Sequence, residues 1–274
     1  MDKNVRAPGG LVIARRARKP GLVAEFNAKA APLRRLTQAR LWDGNAEFFK
    51  VRLETGSLSD AREAVGFIPW MFDLPEAGKG YEAAWAQLAD PQGFASPFDL
   101  TTAERRHPQF RSHGVGTCES EGAVWPFATS QMFSALKLVP RDYFSTFLTC
   151  VRSRHADGNP YIGEYLDEVT GDWINGKDGR RRYCNHSTFA GLLITGVLGL
   201  RSHADDTVEV HPLLPPETWD WCCLDGVKDH GRLLTVLWDK DRRRYGRVSG
   251  LQVLTAGKEI ARADSLHPAF GKLP

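Results

Sequence analysis

The chain lacks most of the features that declare a secreted, membrane-bound or metal-dependent protein. No apolar core followed by a cleavage site opens it, so no signal peptide is visible. Its longest apolar stretch, residues 189–200, is too short to span a bilayer and is interrupted by Gly and Thr. Cysteine is scarce and odd in number: Cys118, Cys150, Cys184, Cys222 and Cys223. The adjacent pair is a poor disulfide, and no two cysteines have zinc-site spacing. Free thiols in a reducing, cytoplasmic compartment are the simplest reading. The histidines (His107, His113, His155, His186, His203, His211, His230 and His267) show no ligand spacing either, so no metal is expected. There is no Gly-x-Ser-x-Gly and no Gly-rich phosphate loop. Charge of one sign is also missing: 36 basic against 33 acidic residues give a net +3. Three short basic runs, around Arg15–Lys19, Arg180–Arg182 and Arg242–Arg244, read as solvated loops. No nucleic-acid partner is therefore expected.

What is present is an ordinary globular composition, 42% hydrophobic and 25% charged, over 274 residues. That is enough for one large domain, or a medium one with a small companion. Residues 1–19 are polar and basic and are expected to be poorly ordered. From Leu22 the apolar residues Phe26, Ala30, Leu33, Leu36 and Leu41 recur at helical spacing. Asp60 and Glu63 stand at capping-box spacing and suggest a short helix from Ser59. Further helices are read near Tyr81–Leu88, Ala128–Leu138, Asp142–Arg152 and His186–Leu200. After Arg201 the pattern turns to strands: Thr207–Val210, Arg232–Trp238, Leu251–Leu254 and Glu259–Ala261, the last two about an Ala256-Gly257 turn. The expected fold is mainly α. Residues 20–205 form a helical domain and residues 206–274 a small C-terminal β module.

Three polar-aromatic blocks adjoin the helical runs. Pro160-Tyr-Ile-Gly-Glu-Tyr-Leu-Asp-Glu-Val-Thr-Gly-Asp-Trp173 sets Glu164, Asp167, Glu168 and Asp172 between aromatic residues. Carboxylates move protons and bind hydroxyls, and aromatic faces suit the apolar side of a pyranose, so the pattern is that of a sugar site. The second block, Cys118–Gln131, contains Glu119, Glu121 and Trp125. The third, Tyr183–Phe189, contains Asn185 and His186. Each residue also has a structural reading. Glu164 could be a solvated loop glutamate, and Asp167 suits a cap of the Thr-Gly turn. Trp125 and Trp70 could equally fill a core, and His186 could cap a helix.

Taken together, Trp125-Pro-Phe-Ala-Thr-Ser130, the Glu-x-x-Asp-x-x-Thr-Gly pattern of Glu164, Asp167, Thr170 and Gly171, and the Tyr-x-Asn-His-Ser pattern of Tyr183, Asn185, His186 and Ser187 resemble the six-hairpin (α/α-toroid) glycoside hydrolases. The group is the one containing mannosylglycerate hydrolase and processing α-glucosidase I. Leu41-Trp-Asp43, Gly66-Phe-Ile-Pro-Trp70 and the tail His211–Gly226 are similar to it as well, so the likeness spans residues 22–262. The resemblance implies a partial α/α toroid with a β appendage. It also implies inverting hydrolysis of an O-glycosidic bond of a glucoside or mannoside, with Glu164 as general base. Trp125, Trp70, Asn185, His186, Glu121, Asp167 and Trp173 would contact an oligosaccharide or small glycoside, with no cofactor. Two departures stand out. Ser120-Glu-Gly-Ala123 replaces the family's Trp-x-Gly-Pro, and no upstream Asp-Gly-Met-Glu-like loop supplies the general acid. The chain therefore looks like the C-terminal half of such an enzyme. Two alternatives remain open: a non-catalytic or vestigial sugar-binding protein, and a half-barrel subunit. The latter's uncovered apolar faces predict dimerisation or a partner chain.

Overall fold

The computed structural model describes residues 9–111, 122–136, 164–172, 174, 191, 193–212, 214, 217 and 219–274. Contacts divide the chain into two units, residues 1–186 and 187–274.

The first unit opens with α1 (Gly9–Arg16) and α2 (Pro20–Leu41), which pack on each other. Pro20 in the first turn has a fixed φ and no N–H to satisfy, and an Ala-, Leu- and Arg-rich run then propagates the helix. Its residues include none that is buried, and Leu22, Leu33 and Leu36 are about half exposed on one face. Pro32 lies inside the helix. Beyond it, Arg34 Nη2 donates to Asp73 O (2.8 Å) and Gln38 Nε2 to Leu74 O (2.8 Å). The helix ends where Trp42 turns extended, and Asp43 Oδ1 accepts the N–H groups of Asn45 and Ala46. That turn folds β1 (Trp42–Asp43) against β2 (Phe48–Phe49).

β2 delivers two fully buried phenylalanines to an aromatic core. Phe48 meets Phe67 edge-on at 5.0 Å, Phe49 meets Trp70 at 5.2 Å, and Trp85 touches both Phe67 (5.0 Å) and Trp70 (4.9 Å). Gly66 permits this packing, because a Cβ there would run into the carbonyl of Phe49. The core is carried by a 3-10 turn (Ala64–Phe67), α3 (Ile68–Met71) and a second 3-10 stretch (Tyr81–Leu88). β3 (Ala95–Ser96) pairs with β4 (Asp99–Leu100), and α4 (Pro126–Leu136) packs against α3. A buried ion pair fastens the loops: Arg62 Nη1 donates to Glu104 Oε2 at 2.6 Å, and the Arg62 N–H to Glu104 Oε1 at 2.8 Å.

In the second unit a π-helical turn (Leu193–Val197) runs into β5 (Leu200–Ser202) through Gly199, whose φ of 66° suits glycine. β5 pairs with β6 (Thr207–Val210), and β6 with β11 (Ala269–Lys272). A second, antiparallel sheet runs in the order β10 (Lys258–Ala263), β9 (Gly250–Thr255), β8 (Arg232–Asp239), β7 (Trp221–Asp229), with β7 at the edge. Val208, Val210, Leu234, Val236, Leu251 and Val253 are fully buried, as period-2 patterning requires.

A mainly α, partial toroid is therefore the wrong description. The described residues form four β-sheets, and the C-terminal part is large and β-rich. Two causes are visible. Tyr81–Leu88 has helical spacing but winds as 3-10, which periodicity does not separate from α. Ser59–Glu63 does not become a helix: Glu63 is extended (φ −125°, ψ 150°) and bridges Ala103, and winding begins only at Ala64. The segment expected to form a helix at 142–152 lies outside the described residues.

Candidate active site

Three extended segments are laid side by side at the start of α4. Thr101 bridges Val124, and Val124 bridges Leu166 through a reciprocal pair, Val124 N–H to Leu166 O (3.1 Å) and Leu166 N–H to Val124 O (2.9 Å). Thr102 adds its hydroxyl and its N–H to the carbonyl of Ala123. Because Val124 precedes Trp125 and Leu166 follows Tyr165, the ladder sets their rings 5.6 Å apart and 31° from parallel. Phe127 also packs against Trp125, with the ring centroids 5.2 Å apart. The Trp125 carbonyl accepts the Thr129 N–H (3.0 Å), so this tryptophan caps α4 and its side chain stays partly exposed. Glu164 is half-buried directly before Tyr165. The ladder thus builds an aromatic wall from Trp125 and Tyr165, the latter next in sequence to Glu164.

The loop behind Glu164 is held rigidly. Asp167 Oδ1 accepts the N–H groups of Val169 (2.8 Å) and Thr170 (2.7 Å), and the Gly171 N–H returns to Asp167 O (2.9 Å). Thr170 Oγ1 takes the Asp172 N–H at 3.2 Å. This is an Asx turn, the conformation that Asp-x-x-Thr-Gly encodes. Gly171 has φ 73° and lies flat against the Phe98 ring. Phe98 N–H donates to Glu168 O (3.3 Å), so the β3–β4 hairpin braces the turn. At the far edge of the lamination, burial and the nearby Asp60 carboxylate push the Glu63 carboxyl up.

Of the residues singled out in the sequence, Glu164, Trp125 and Asp167 lie on or beside the paired Val124 and Leu166 segments. Asp167 spends one carboxylate oxygen on the turn. Trp70 is 7% exposed and enclosed by Phe49, Phe67 and Trp85, so it is a core side chain of the element on which α4 packs. Glu121, Trp173, Asn185 and His186 lie outside the described residues. Sequence reasoning passed over Tyr165, although it is the residue next to Glu164. It also passed over Phe98 and Asp99. Asp99 is 1% exposed with φ 140°, a backbone state costly for any residue but glycine and common at functional positions. Ser96-Pro-Phe-Asp99 reads only as a turn. Among the described residues no group of acids, histidines and cysteines could hold a metal ion, and no helix is long and apolar enough to cross a membrane.

Comparison with known proteins adds three findings. The model of the mannosylglycerate hydrolase MGH1-like glycoside hydrolase domain matches residues 11–187. That of the glycosyl hydrolase family 65 C-terminal domain matches residues 200–261. Among solved structures, one described as a sialidase is 43% identical with a TM-score of 0.86; the match covers 96% of this chain but 25% of that one. A GH63 mannosylglycerate hydrolase from Thermus thermophilus, in complex with glucose, is 21% identical with a TM-score of 0.47, over 67% of this chain and 43% of its own. The chain thus spans a quarter of the first of these structures and under half of the second.

Proposed function

The chain belongs to the mannosylglycerate hydrolase MGH1-like glycoside hydrolase family, and from that premise we propose that it serves the inverting hydrolysis of an O-glycosidic bond of a glucoside or mannoside, with Glu164 as general base. The observation that supports this reading is the cross-strand pairing of Val124 with Leu166, which sets Trp125 against Tyr165, the residue that follows Glu164. The Glu164 carboxylate accepts a proton from water as that oxygen bonds to the anomeric carbon. The bond to the leaving oxygen breaks, and a second carboxylic acid protonates that oxygen. In an inverting site this acid stands roughly 6.5–9.5 Å from the base, leaving room for the water. Asp167 is bound into its turn and unsuited to the part. Glu119 or Glu121, close to Trp125 in the sequence, or an acid of a partner chain, would supply the proton. Trp125 stacks on the sugar, and Asn185, His186 and Trp173 complete the subsite.

A Glu164→Gln substitution tests the assignment. Turnover of glucosyl and mannosyl fluorides should fall about 10²–10⁴-fold with KM retained, and NMR should show the inverted anomer as first product. Unchanged turnover, or a retained anomer, overturns it. Tight sugar binding by a parent chain without turnover would instead support the non-catalytic reading.

A further inference from the structure

The basic run Asp241-Arg-Arg-Arg244 is more than a solvated loop. The connection between β8 and β9 carries Lys240, Arg242, Arg243, Arg244 and Arg247 against the single acid Asp241. It is an ordered turn: Arg242 Nε donates to Arg247 O (3.0 Å), Gly246 N–H returns to Arg242 O (3.2 Å), and the Tyr245 N–H is held by the buried Asp239 Oδ2 (2.8 Å). Asp239 is also the cross-strand neighbour of Trp221, so the same anchor brings the turn over the indole. Arg244 lies with its Cζ 4.2 Å from the centre of the Trp221 ring, and Tyr245 meets that ring edge-on at 6.2 Å. Yet Trp221 remains 47% exposed, on an edge strand.

A guanidinium stacked on an aromatic face is immobilised with its in-plane N–H donors turned outward; Arg244 gives one of them to the Tyr245 side chain and offers the others to a planar or tetrahedral anion. The cations beside it are partly spent: Lys240 pairs with Asp220 (3.0 Å) and Arg243 with Asp241 (3.0 Å). The Arg247 guanidinium has no acidic partner among the described residues. The geometry points to a surface binding site for an anionic glycan. Arg244 and Arg247 take its carboxylate or sulfate, and the exposed indole, flanked by the half-buried phenol, beds the pyranose ring. Asp220 and Asp241, both exposed and paired with these cations, interrupt any continuous basic track. A nucleic acid, charged at every nucleotide, needs such a track; a sugar bearing isolated charges does not. The site belongs to the second unit and does not depend on Glu164 being a catalyst.

The test is binding of the intact chain, by affinity electrophoresis or calorimetry at low and physiological salt, to dextran sulfate, polygalacturonate, neutral dextran and a 20-nucleotide single-stranded RNA. Binding to dextran sulfate or polygalacturonate, weakened by salt and at least about tenfold tighter than to dextran, is expected. Which of the two binds tighter decides between sulfate and carboxylate. Trp221→Ala and Arg244→Gln should each cost about tenfold, and Arg247→Gln less. Arg244→Lys keeps the charge but not the fork and should restore little of the loss. A Trp221→Phe variant covers the case in which Trp221→Ala fails to fold. Equal binding to dextran and dextran sulfate overturns the proposal. So does binding untouched by the Arg244 variants, or RNA bound more tightly than either polyanionic glycan. Each of these outcomes is independent of whether Glu164→Gln abolishes turnover.

Discussion

Gly171→Ala is the most informative single change in the first unit, because two separate costs meet at one atom. The residue has φ 73°, and a non-glycine there costs roughly 1–2 kcal/mol. The added Cβ would also lie 2.7 Å from both Cε1 and Cγ of Phe98, and nearer still to Cδ1. Carbon atoms rest about 3.5–4.0 Å apart, so ring or turn must move by close to an ångström, an overpacking strain of about 1–3 kcal/mol. The sum is ~2–5 kcal/mol. A double-mutant cycle with Phe98→Ala separates the parts. In that background the clash is gone, and Gly171→Ala should cost only the ~1–2 kcal/mol backbone share. Urea unfolding followed by tryptophan fluorescence reads each corner. A single mutant that unfolds at the parent's urea concentration would refute the geometry. Equal costs in both backgrounds would show that Phe98 does not press on the turn.

Two further expectations concern titration. Burial, and secondarily the neighbouring Cys223 thiol, push Cys222 up to about 12, so at pH 8 maleimide labelling with peptide mapping should modify it about a thousandfold more slowly than an ordinary thiol; labelling at an ordinary rate would contradict its position in β7. Burial raises the Asp43 carboxyl, but hydrogen bonds from the Ala46 and Asn45 N–H groups and the Lys50 ammonium outweigh this and hold it below its ordinary value. A depressed folded-state value stabilises the protein above the unfolded value near 3.8, and that contribution is lost as pH falls through the folded one. The stability lost on Asp43→Asn should therefore be full at pH 7 and shrink below about pH 4; a gap that widened on acidification would reverse the sign.

Part of this was legible in the sequence, for reasons that can be stated. Asp-x-x-Thr-Gly foretold the turn at Asp167 because an Asx cap and a positive φ have few chemical solutions. Leu251–Leu254 and Glu259–Ala261 foretold β9 and β10, since alternation flanking Ala256-Gly257 fits only a hairpin. The helix read from Ala128 is α4, which begins two residues earlier, at Pro126. The toroid did not follow. Strands of two residues, such as β1 and β2, are shorter than any period, and a tryptophan has the same composition whether it lines a sugar site, as proposed for Trp125, or fills a core, as Trp70 does. Val124 and Leu166 build the site by pairing across about forty residues, a contact that no local pattern records.

Pro32 divides α2 into halves of unequal persistence. Lacking an N–H, it leaves the Ala28 carbonyl without its usual helical donor, and both side-chain ties to Asp73 and Leu74 come from beyond it, at Arg34 and Gln38. Of the N-terminal half, the Glu25–Lys29 pair is exposed and worth little. Amide protons from Val23 to Ala31 should therefore exchange with solvent through frequent local opening, while those after Arg34 wait on the slower release of the segment to which they are fastened. Exchange would then divide one rod into two bodies, with the joint at a residue that has no N–H to donate.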